Sequence, residues 1–127
     1  MPILDLPEPG LESRPGEATG DPAGDWLCAW CLNRVANEKD RFSYAGQNEF
    51  TFTNPEGLRF DILTFSRTLG CREIGKPTLD YTWFAGHAWS YCQCAGCRQH
   101  LGWYYSGQHQ FVGLIKSRLV RALHMRN

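Results

Sequence analysis

The sequence has no run of about 18 apolar residues and no basic segment followed by an apolar stretch at its start, so it offers neither a membrane-crossing helix nor a cleaved export signal. The expectation is a cytoplasmic protein with no membrane partner. No cysteine follows Cys97. Residues 1–25 contain no aromatic residue and no cysteine, yet hold five of the seven prolines and four glycines. Such a composition buries too little apolar surface to offset chain entropy, and the segment reads as a disordered acidic tail. It carries six acids against Arg14 alone, a balance of −5 that the rest of the chain offsets to a formal net charge of zero. The basic residues beyond Arg41 are scattered rather than blocked, which argues against a nucleic-acid partner.

From Trp26 to Asn127 the composition is that of one small globular domain. Over the whole chain 43% of residues are apolar and 20% charged. Short aromatic and β-branched runs separated by turn residues predict an all-β fold. The expected strands are Glu49–Thr53, Arg59–Phe65, Tyr81–Phe84, Ala88–Cys92 and Leu101–Tyr105, with turns at Asn54-Pro55-Glu56-Gly57 and Ala85-Gly86-His87. Phe111, Leu114, Ile115 and Leu119 fit a short strand followed by a helical turn, with Lys116, Arg118, Arg121 and Arg126 on its outer face.

Cys28-Ala-Trp-Cys31 and Cys94-Ala-Gly-Cys97 form two C-x-x-C pairs. Each pair brings two thiolates within reach of one ion, so the four cysteines predict a closed, structural Cys₄ site for one Zn²⁺. Iron suits the same four sulfurs; two disulfides are disfavoured without an export signal. Cys71 and Cys92 are left over and read as small buried apolar residues.

Five tryptophans are many for 127 residues. If Ala85-Gly86-His87 closes a hairpin, Trp83 stands opposite Trp89 and Tyr81 opposite Tyr91, while period 2 places Trp103 and Tyr105 on one face. Three indoles arranged so either fill a core or enclose a flat neutral ring. Cages for cations normally add a carboxylate, and here the nearby acid is Asp80, just outside the hairpin. Trp26 and Trp30, flanking the first cysteine pair, are assigned to packing.

These motifs together resemble the cereblon-type thalidomide-binding (CULT) domain family, especially its stand-alone bacterial members. The resemblance runs from Trp26 to about Leu119. It rests on Cys28-x-x-Cys31, Asn54-Pro55-x-Gly57, Tyr81-Thr-Trp83-Phe84-x-Gly86-x-Ala88-Trp89, Cys94-x-x-Cys97, His100-Leu-Gly-Trp103 and Phe111-x-Gly113-Leu114. It implies a β-tent of two antiparallel sheets meeting at an angle, a structural Cys₄ zinc, and a tri-tryptophan cage for glutarimide, uracil-like and other cyclic-imide rings. These include imides at damaged protein or peptide C-termini. Carried over, Trp83, Trp89 and Trp103 are the walls and Tyr105 the floor. The backbone at Tyr81 and Trp83 bonds the imide, and Asn54 and Pro55 close over it. Tyr81 stands where the vertebrate protein has histidine. The chain leaves no room for the segments by which cereblon docks on a ubiquitin ligase, so the expectation is ligand binding without ubiquitination and without catalysis. The alternatives are an enzyme of the methionine-sulfoxide-reductase type, which needs a nucleophilic thiol where none follows Cys97, and an RNA-end-binding relative of the same fold. His100 fits either a polar residue near the pocket or a structural histidine, and is read as the structural one.

Overall fold

A computed structural model of the chain describes residues 21–125. The acidic tail expected over residues 1–25 therefore lies outside the described residues up to position 20. Its last five residues are not a tail. Asp21 caps a 3₁₀ turn at Pro22–Gly24 through its side chain, and Asp25, which is buried, opens the first strand. Asp25 is held there by the Arg34 guanidinium at 2.9 Å and the Asn37 amide at 2.8 Å, partners in the next strand that a composition count does not reveal.

The strands in chain order are β1 (Asp25–Cys28), β2 (Arg34–Asn37), β3 (Glu49–Thr53), β4 (Arg59–Phe65), β5 (Cys71–Thr78), β6 (Ala88–Cys94), β7 (His100–Ser106), β8 (Gln110–Ile115) and β9 (Leu119–Arg121). They form two antiparallel sheets, three-stranded in the order β9-β1-β2 and six-stranded in the order β3-β4-β8-β7-β6-β5. No α-helix occurs among the described residues; the helical turn expected near Leu119 is a 3₁₀ turn at Lys116–Arg118. Its basic residues do not share one outer face. Lys116 pairs with Glu49, Arg118 donates to the His100 carbonyl, and Arg121 lies over the Trp26 ring.

Alternation along the strands divides the side chains between two apolar clusters. Trp26, Val35, Leu63, Phe65, Leu101, Val112 and Leu114 join both sheets in one core. The opposite face of the large sheet contributes Tyr105 and Phe111, which pack with Phe84 under a layer of partly buried aromatics that includes Trp83, Trp89 and Trp103. Gly102 and Gly113 lie between β7 and β8, where a side chain on Gly102 would collide with the Gly113 carbonyl oxygen. Gly102→Ala is therefore expected to cost about 2 kcal/mol or more through strand separation, read as a lower urea midpoint.

The expected strand Tyr81–Phe84 is a turn, and the hairpin that would set Trp83 opposite Trp89 does not form. Trp89 instead pairs with Thr78 on β5 and Tyr105 on β7, and Tyr91 with Ile74 and Trp103. The cause is local. Tyr81 has a φ of 57°, incompatible with an extended strand, and the Thr82 hydroxyl donates to the His87 carbonyl at 2.6 Å, coiling the segment back on itself.

Candidate functional site

Each C-x-x-C pair forms the same tight turn. Leu32 N–H donates to the Cys28 carbonyl and Arg98 N–H to the Cys94 carbonyl, at 2.8 and 2.9 Å. The residue after each second cysteine is left-handed, Leu32 at φ 62° and Arg98 at φ 69°. The turns cap β1 of the small sheet and β6 of the large one, so their sulfurs meet where the sheets are joined. All four Sγ atoms lie within 4.8 Å of one another, with Cys28 to Cys97 at 3.6 Å and Cys31 to Cys94 at 3.5 Å. A tetrahedron of sulfurs about 2.3 Å from its centre has edges of about 3.8 Å. The cluster therefore fits one metal ion. Burial would raise the Cys94 pKa, but N–H groups of Cys97, Gly96 and the Asn33 side chain outweigh it and hold that thiol at about 6, whereas the Cys28, Cys31 and Cys97 thiols are raised, so a bound metal would displace their protons.

Cys92 is fully buried and its pKa is raised by contact with Cys71 and by burial, the state of an inert thiol. Cys71 is only partly buried. Trp30 does not pack: it is 54% exposed, whereas Trp26 is buried and donates its indole N–H to Glu38.

A cavity of about 470 Å³ opens on the aromatic face of the large sheet. The structure brings Asn54, Pro55, Tyr81, Trp83, Trp89, Trp103 and Tyr105 together around it. Two of the indoles stand on adjacent strands, Trp89 on β6 and Trp103 on β7, and the third hangs from the 79–87 loop. Trp83 meets Trp103 edge to face at 4.9 Å and is backed by Phe52, stacked at 5.0 Å. Trp89 donates its indole N–H to the Asp80 carbonyl at 2.7 Å, tying the loop to the sheet. Within the loop, Thr82 N–H bonds the Leu79 carbonyl and His87 N–H that of Phe84; the backbone groups of Tyr81 and Trp83 stay outside these bonds. Buried His87 steadies the far end. Its Nδ1–H donates to the Ala85 carbonyl, and its Nε2 accepts from His109 N–H.

The Asn54–Gly57 turn forms the opposite lip. Asn54 Oδ1 accepts from the N–H groups of Glu56 and Leu58, at 3.0 and 2.9 Å, so the side chain shapes the turn itself.

Beyond the seven site residues expected from sequence, Glu56, Phe60, Tyr91 and His100 line the cavity. Tyr91 was legible, two residues after Trp89 on one strand face. Glu56 corrects the expectation that no charged group lies within reach beyond Asp80. His100 and Trp103 would face opposite ways under strict alternation. A register shift opposite Cys92 and Gln93 puts an extra residue into β7 and turns both rings to the cavity, 4.9 Å apart. Burial, then the Arg118 guanidinium, lowers the His100 pKa from 6.5 to about 4. A depressed value means that the unfolded chain takes the proton first. The contribution of His100 to stability is thus present above pH 6.5 and lost as the pH falls through 4. An NMR titration of the His100 ring should show a midpoint near 4, and His100→Gln should flatten urea midpoints between pH 6.5 and 4.

No family model matches the chain. Curated proteins do. The chain is 33% identical to protein cereblon of Danio rerio over 75 residues, 54% of this chain and 17% of that protein. It is 31% identical to protein cereblon of Gallus gallus over 75 residues, with the same shares. With that of Drosophila melanogaster it is 29% identical over 87 residues, 66% of this chain and 15% of the relative. The chain carries a cereblon-like domain. The aligned segment is about a sixth of the length of these relatives. The cereblon-like domain thus joins two antiparallel sheets, a four-cysteine cluster able to hold a metal ion, and an aromatic cavity. No helix among its described residues is long and apolar enough to cross a membrane.

Proposed function

We propose that this cereblon-like domain is a receptor for small neutral rings of the cyclic-imide or uracil type, held by Zn²⁺ in the Cys₄ cluster and without catalysis of its own. The observation that carries this reading is the cavity with indoles on three sides and the backbone of Tyr81 and Trp83 at its rim. An imide presents an N–H between two carbonyls, and each of these buried without a partner would cost about 1–3 kcal/mol. The Tyr81 and Trp83 backbone groups supply such partners, while Trp83, Trp89 and Trp103 enclose the ring faces and Tyr105 the floor. Asn54 and Pro55 close the lip. Free imides and imides at the C-termini of damaged proteins or peptides share this head group. Reductase chemistry of the sulfoxide type requires a nucleophilic thiol, and the residues around the cavity include no cysteine. No RNA role is proposed, since Lys and Arg are likewise missing from the lining.

The test is titration with glutarimide and with uracil while following tryptophan fluorescence. Saturable quenching is expected. No response at millimolar ring would overturn the reading.

A further inference from the structure

Resting on that reading, we infer that the cavity selects rings bearing a cationic substituent, with Glu56 as the counter-charge. Glu56 is, among the described residues, the one acid that lines the cavity, and no Lys or Arg lines it. Among the described residues Glu56 takes part in no ion pair. Its place is fixed by the backbone: Glu56 N–H donates to Asn54 Oδ1 at 3.0 Å, and Gly57, at φ 88°, turns the chain immediately after it. The Glu56 backbone is thereby fixed beside a cavity whose walls are indole and phenol rings, and its exposed side chain has that lip within reach.

Those walls favour positive charge as well. The face of an aromatic ring is the negative end of its quadrupole and attracts an ammonium group. His100 adds no competing charge at neutral pH. A volume of about 470 Å³ also exceeds what one six-membered ring fills. A neutral ring seated among the indoles would leave the spare volume unused and the Glu56 carboxylate facing only water. A ring carrying an ammonium one methylene beyond its edge would use both.

Calorimetry on the full chain with 5-(aminomethyl)uracil and its neutral isostere 5-(hydroxymethyl)uracil tests this, with glutarimide as the reference ring. The amine is expected to bind about fivefold tighter at low salt, the range of a partly exposed charge pair aided by aromatic faces. That ratio should shrink as ionic strength rises, and fall to about one in Glu56→Gln, whose thermal melt reports that it folds. Equal binding of the two uracils while glutarimide binds would overturn the inference alone, as would a ratio that survives Glu56→Gln. If none of the three rings binds, the receptor reading falls and takes the inference with it.

Discussion

Stripping the metal with a chelator, or replacing Cys94 by serine, is expected to unfold the domain rather than merely lower its melting temperature. The two cysteine turns are 62 residues apart in sequence and end strands of different sheets, so one ion bound by all four sulfurs would close a long loop and fasten the sheets together. Structural zinc contributes about 10–16 kcal/mol in small metal-dependent folds. A domain of this size has about 5–15 kcal/mol in total, so the metal's contribution matches or exceeds the whole. The measurement is circular dichroism with metal analysis: one equivalent of zinc in the folded protein, and loss of the cooperative melt without it. Retention of a sharp melt after complete removal would show that the apolar core suffices and would sink the structural role. Cys71→Ser, outside the cluster, should keep the metal.

The second large effect is expected at the cavity. Trp103→Ala should weaken ring binding about 30-fold to 1,000-fold, since a central aromatic anchor contributes about 2–4 kcal/mol. Trp103 touches Trp83, Phe60 and His100, so its removal opens one wall and frees another. Stability should fall too, by about 3 kcal/mol, and binding must be read where the variant is folded. Trp30→Ala supplies the contrast. Its indole is exposed and outside the cavity, so affinity and stability should stay within about 0.5 kcal/mol of the parent. Equal affinity of Trp103→Ala and parent for glutarimide would place the ring elsewhere.

The legible parts of this fold are those where a strand and its turn point the same way. Glu49–Thr53 and Arg59–Phe65 were read with their observed bounds because alternating aromatics flank an Asn-Pro-x-Gly turn. The strand that follows in the chain, Cys71–Thr78 at the opposite edge of the sheet, gives no such signal. It carries Gly75 at φ 87°, Lys76 and Pro77, residues that break propensity and fit a bulged edge strand, where a missing N–H costs nothing. Tyr81–Phe84 misled for the opposite reason. Its aromatic residues carry strand propensity, yet Thr82 supplies hydrogen bonds that a ladder does not offer.

The site divides in the same way. Cysteine spacing announces itself, because two turns of one form can hold one ion between them. The three indoles converge on the cavity, but by a route that the sequence misrepresents, across β6, β7 and a coiled loop. Glu56 gave no signal, since a glutamate in a turn is ordinarily just solvated. Their contact with a ring is what the quenching, Trp103→Ala and Glu56→Gln measurements decide.

Arg121, near the end of the described chain, is the register partner of Trp26, near its beginning. Entry and exit are therefore neighbours, joined by the pairing of β9 with β1. A unit built so can be spliced into a longer polypeptide at a single point, its flanking sequences leaving side by side without prising the sheets apart.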